Sequence, residues 1–277
     1  YDLRGEISRK IGYSLAENYD RRIFRAITKA ARQPSPVSMT DFKEPGGSVI
    51  KVGTASSTEK KDAYDAGKLV TAFYDAAATL DEKGVSQDGR VAVLNPRQYY
   101  ALIQSAKDGL GLINRDVTGN ALQSGQGIIE IAGIKIYKSM NIPFLGKYGT
   151  NPAQNTSASN DNAGSFVGST MEDMDAKNTP SGTNTQKTIN NYGTATKFAH
   201  SCGLIFQKEA AGVVEAIGPQ VQVTSGDVSV VYQGDVILGR LAMGADFLNP
   251  AAAVELVAGV NVSSNWNATS VSNASFD

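Results

Sequence analysis

The feature that most constrains this chain is a line of apolar residues at a strict spacing of four: Leu3, Ile7, Ile11, Leu15, Tyr19, Ile23 and Ile27. With no proline before Pro34, the line predicts one long helix. Asp2 and Glu6 stand at its start, while Arg21, Arg22, Arg25, Lys29 and Arg32 stand toward its end, the order a helix dipole favours. Pro34 and Pro36 supply the stop. A step of four advances ~400°, so the line drifts by ~40° at each step. A helix lying on one core would correct that drift with steps of three. About 30 residues at ~1.5 Å each span ~45 Å, close to the ~48 Å diameter of a compact globule of this length. The reading is a strut across an elongated subunit, packed on different partners along its length. The plainer alternative is an ordinary helix whose stripe happens to drift.

Beyond the helix the pattern alternates. A Gly/Ser/Thr-rich passage, Glu44 to Ser57, carries one β-prone run, Val49 to Val52. A second helix is expected from about Lys60 to Leu80, with Leu69, Ala72, Phe73, Ala76, Ala77 and Leu80 on one face. Arg90 to Leu94 reads as a buried strand, and Asn95-Pro96 as the cap and first position of a third helix running to about Lys107. Ile128 to Ile131 and Ile134 to Tyr137 are β-prone runs broken at Ala132-Gly133. From Gly146 to Thr196 the chain turns to Asn, Ser, Thr, Gly, Asp and Lys, a composition that buries little and reads as a long surface loop. The last third favours strands: Phe198 to Phe206, Gly212 to Val223, Val228 to Val231, Val236 to Met243 and Ala252 to Val260. A polar tail, Ser263 to Asp277, follows.

Composition excludes several functions. Lys and Arg number 26 against 27 Asp and Glu, a formal net charge of −1, which gives no global attraction to nucleic-acid phosphate. One Cys and one His exclude a disulfide scaffold, zinc knuckles and any site needing two histidines. No run approaches the ~20 apolar residues of a membrane span, and the opening residues lack both an initiator Met and an apolar signal core, so the expectation is a processed, trimmed or engineered N-terminus. His200 and Cys202, two apart on an expected strand, share a face and could form a nucleophilic dyad. Nothing adjacent supplies an orienting third group, and a small buried Cys is the better reading. Gly109-Leu110-Gly111 and Gly125-Gln126-Gly127 lack the rest of a phosphate loop. The acidic runs lack calcium-loop spacing. The expectation is therefore no catalytic site, no cofactor and no metal. The basic cluster at Arg21, Arg22 and Arg25 reads mainly as an exposed helix end, with an intersubunit ion-pair role as the second option.

Four stretches in order are more specific than any single motif. Tyr1-Asp2-Leu3-Arg4 running into the long helix resembles the spine-helix start of the major capsid protein of T7-like podoviruses. Val93 to Ile103 resembles that family's Asp-Pro-x-x-Tyr segment, with Asn95 in place of Asp. Ile131 to Pro143 is similar to a pattern common across HK97-fold shells, and Ile237 to Pro250 resembles the family's Ala-Met-Gly…Leu-Arg-Pro stretch, with Asn249 replacing a charged residue. Marine, cyanophage-like members resemble it most. The family's N-terminal arm and E-loop precede its spine helix, whereas this sequence opens at the helix, so contacts of those segments fall on no residue here.

The resemblance implies an α+β, HK97-like capsid fold. Residues 1–60 would hold the spine helix and the start of the peripheral domain, and 61–200 the axial domain with its polar insertion at 146–196. Residues 201–243 would supply the long peripheral strands and their loop, and 244–277 a return to the axial domain and the tail. It implies a structural role: hexamers and pentamers of the chain enclosing double-stranded DNA held non-specifically, with a scaffolding protein during assembly, a portal at one vertex and no membrane. An encapsulin-like compartment shell is the alternative, a Cys/His hydrolase the remote one. Candidate interface residues are Ile11, Arg21, Arg22, Arg25, and, in the loop joining the long strands, Asp227 and Asp235.

Overall fold

The computed structural model describes residues 3–36, 44–53, 60–104, 129–142, 201–223, 234 and 236–258. The four-spaced line forms helix α1, Leu3–Ala31. Burial along it is uneven: Leu3 and Ile7 are exposed, while Ala26, Ile27, Thr28, Ala30 and Ala31 are buried. The run after it forms strand β1, Ser48–Lys51.

The second helix starts later than its apolar pattern suggests. Lys60–Tyr64 is a 3₁₀ turn, and α2 runs from Ala66 to Glu82. Asp65 makes the break, its carboxylate accepting from the Gly67 and Lys68 amides at 3.0 and 3.3 Å, which satisfies amides that the first turn of a new helix leaves without an intrahelical acceptor. The expected face, Leu69 to Leu80, is buried.

Strand β2, Val91–Leu94, leads directly into α3, Pro96–Gln104. A reciprocal cap joins them: Asn95 Oδ1 accepts from the Arg97 amide at 3.3 Å, and Gln98 Oε1 accepts from the Asn95 amide at 3.2 Å. Strands β3, Ile129–Ile131, and β4, Ile134–Lys138, form a hairpin. Its two turn residues, Ala132 and Gly133, have φ of 53° and 73°, the positive pair that matches strand twist.

The remaining strands are β5, Ser201–Phe206; β6, Ala211–Val223; β7, Ile237–Phe247; and β8, Ala253–Val257. Six of the eight described strands form one mixed sheet in the order β1-β8-β5-β2-β4-β3, with β1/β8 and β2/β4 parallel. Registry puts Glu255, Leu204, Val93 and Tyr137 on one face. The end of α1 reaches that face through Arg32 and Glu255. α3 lies on the other, where Lys138 Nζ donates to the Tyr100 hydroxyl at 2.7 Å. Phe73, Leu69, Leu80, Leu94, Leu102, Ile134, Ile136 and Leu204 are among the largest fully buried side chains.

β6 and β7 stand apart as a two-stranded antiparallel ribbon. β1 and β5, which lie on either side of the boundaries drawn at 60 and 201, are both hydrogen-bonded into the six-stranded sheet. The polar stretch 146–196, the run 228–231, His200, Asp227, Asp235 and the tail lie outside the described residues.

Candidate assembly surface

α1 joins the two sheets, and glycine makes the closest approach possible. Ile11 Cγ2 and Leu15 Cδ1 lie over Gly239 of β7, and a Cβ on that glycine would collide with Ile11. Further along, Arg22 Nη1 donates to the Met243 carbonyl at 3.1 Å. Lys29 Nζ pairs with Asp246 Oδ1 at 3.0 Å and stands 5.0 Å from the Phe247 ring centroid. Arg32, just past the helix, forks onto Glu255 of β8, Nε to Oε2 at 2.5 Å and Nη2 to Oε1 at 2.6 Å. Positions along the helix thus map in order onto positions along β7 and then β8.

This corrects the reading of the basic cluster as an exposed helix end. Arg21 and Arg32 are buried, and Arg21 Nη2 meets Glu17 Oε1 at 2.5 Å. Arg22 and Arg25 are half-buried. Burial, then the neighbouring Glu17, raises the carboxyl of Asp20 above its ordinary range. Arg22, Lys29 and Arg32 fasten the helix to strands of its own subunit, and Arg21 pairs along the helix itself.

The apolar line changes partners as it winds. Ile11 is half-buried on the ribbon, whereas Ile23 packs against the main core. Sequence reasoning overlooked Gly239 and Glu255, because each acts through a residue more than 200 positions away.

Among the described residues the outward face of the ribbon has no such cover. Along β7, Ile237, Gly239, Leu241 and Met243 are half-buried, while Leu238, Arg240 and Gly244 are exposed, so strand alternation turns one set to α1 and the other out. Val214 is 74% exposed and Leu238 52%, and Ile217 is exposed as well. Arg240 is tied to Gln220 Oε1 across the strands at 3.2 Å. A two-stranded ribbon is marginal alone, and with large apolar side chains exposed near its base and on its outer arm it is the candidate contact surface.

The thiol of the dyad reading is not placed to react. Cys202 is fully buried, its Sγ 3.3 Å from the Leu256 carbonyl. Burial, then the nearby Glu255, pushes its thiol far up, keeping it protonated. Among the described residues no group of three His, Cys, Asp or Glu side chains is placed to hold a metal ion. No described helix is long and apolar enough to cross a membrane.

Comparison with known proteins gives a consistent picture. A family model described as Gp10A-like, major capsid protein, matches residues 1–182. The capsid structure of the cyanophage P-SCSP1u is similar at 26% identity with a TM-score of 0.62, over 93% of this chain and 66% of that one. The asymmetric unit of the bacteriophage PhiM1 mature capsid is similar in fold at 16% identity with a TM-score of 0.57, over 93% of this chain and 65% of that one. The chain therefore spans just under two thirds of the length of these capsid chains. No curated protein sequence matches it.

Proposed function

The chain belongs to the Gp10A-like major capsid protein family, and from that premise we propose that its copies associate through α1 and the outer face of the ribbon into hexameric and pentameric capsomers. It has an α+β fold of the HK97 type and is a structural protein of a phage virion. The finer reading places it in the T7-like, cyanophage-like branch, assembling in the host cytoplasm with a scaffolding protein and a portal. The head would enclose double-stranded DNA without specific contacts and without a catalytic step.

The observation that carries the self-association is the exposure of large apolar side chains on the ribbon, Val214 at 74% and Leu238 at 52%. The near-neutral charge of −1 agrees with a wall that does not grip packed DNA. Asp227 and Asp235 remain candidates for ion pairs with Arg or Lys across a junction. Such pairs are worth only ~0–1 kcal/mol each, but they repeat in every subunit.

Negative-stain microscopy of the full-length protein, expressed alone and with its scaffolding partner, tests the reading. Closed shells or capsomer rings are expected. Uniform single subunits under both conditions would overturn it.

A further inference from the structure

The ladder between β6 and β7 slips twice within a short stretch. Glu215 pairs with Met243, Ile217 with Ala242 and Gln220 with Arg240, so β6 takes five residue steps where β7 takes three. Each slip is a one-residue bulge, which bends the bulged strand and increases its twist. A single bulge would exchange the two faces of β6 beyond it. Two restore them: Glu215 and Val221 lie opposite Met243 and Gly239, which share the α1-facing side of β7.

The bulged stretch contains Gly218-Pro219, and Pro219 has no amide to give the ladder. The Glu215 carboxylate lies against Gly218. On the near side the ribbon is fastened to the body by Arg22 at Met243 and Lys29 at Asp246. Its base is closed by the Leu248 amide on the Ala210 carbonyl at 3.0 Å and the Asn249 amide on the Glu209 carbonyl at 3.1 Å. On the far side, Ile11 and Leu15 rest on Gly239. The bend thus falls between two anchored parts of the ribbon.

We propose that the double bulge sets the angle between the base of the ribbon and its outer arm, Gln220–Val223 with Ile237–Arg240, both seated on α1, and through that angle the curvature of the assembled shell. The inference rests on the reading of the ribbon as an assembly surface. Because the bulges come as a pair, both extra residues can be removed without exchanging the two faces of the outer arm. Curvature is then separable from folding.

The test uses the full-length chain in two variants: deletion of Gly218 and Pro219 together, and insertion of two threonines between Leu241 and Ala242 to match β7 to β6. Each is examined by thermal melting and by microscopy of its assemblies. The expected result is a cooperative melt with loss of shells of native diameter and the appearance of shells of another diameter, tubes or flat sheets. Native-diameter shells from both variants would overturn the inference and leave the capsid reading intact. Folded subunits that remain as capsomers would also overturn it, since that is a broken contact and not a changed angle. Loss of the cooperative melt in both would do the same, by making the bulges a requirement of folding. A wild-type chain that forms no shells would remove the assembly reading itself.

Discussion

Arg32 and Glu255 form a two-pronged ion pair with side chains only 2% and 0% exposed, tying the exit of α1 to an interior strand of the six-stranded sheet. Breaking such a pair strands one charge in the interior. Glu255→Ala should therefore destabilise the subunit by about 3–5 kcal/mol, measured by denaturant unfolding. The double variant Arg32→Met with Glu255→Leu should recover much of that loss. A double variant as unstable as Glu255→Ala would contradict the account.

The contact of Ile11 with Gly239 makes a second, independent point. A methyl on Gly239 meets Ile11 Cγ2 head-on, so Gly239→Ala should cost about 1–3 kcal/mol through overpacking. Ile11→Ala, which removes that Cγ2, should relieve part of it in a double-mutant cycle. Ile11→Asp places an unpaired charge in the same contact and should block folding or assembly. Normal shells from Ile11→Asp would refute the strut reading of α1.

Lys83 gives the fold an alkaline signature. Its ammonium donates to the Gly46 carbonyl and to Ser48 Oγ, both at 2.6 Å, and burial brings it down to about 8. The unfolded chain holds that proton to ~10.4, so between these values the unfolded state binds more protons and stability rises with pH. The stability of wild type minus that of Lys83→Met should be flat below pH 8 and increase from about pH 8 to 10. A difference that falls over this window would contradict the assignment. At the acid end the slope has the same sign, because here too the unfolded state binds more protons. The hydrogen bond from Arg90, then that from Gln87, holds Asp81 below the usual carboxylate range, and its stabilisation is lost as pH falls through that lowered value. Asp81→Asn should shallow the acid limb.

Cys202 should be inert in the native subunit. With its thiol buried and kept protonated, mass spectrometry after maleimide treatment at pH 8 should show no adduct, and full labelling once the chain is unfolded in guanidinium. Rapid native labelling would reopen the dyad reading.

What the sequence made legible follows from range. α1 could be read from its four-spaced line and Pro34, and α3 from Asn95-Pro96, because both signals are local. The late start of α2 at Ala66 turned on whether Asp65 or the turns before it took the amides, which the apolar pattern does not encode. β7 continues to Phe247, four residues beyond the expected Met243, since Gly244-Ala245-Asp246 has little strand propensity of its own and is held by the ladder to β6. The drift of the α1 stripe was visible in the sequence. Its cause, a helix passing from a twisted ribbon to a separate sheet, needed Gly239 and Glu255 in space. Asp227 and Asp235 lie outside the described residues, so the charged half of the expected interface stays a proposal.

The central claim is that the outer face of the ribbon holds copies of this chain together. Val214→Asp and Leu238→Asp change two exposed positions, so each should melt like wild type. Sedimentation velocity of the full-length protein under assembly conditions measures the claim directly. Wild type should sediment as shells, while both variants should sediment as folded subunits or small capsomers. Shells at wild-type yield from both variants would contradict it.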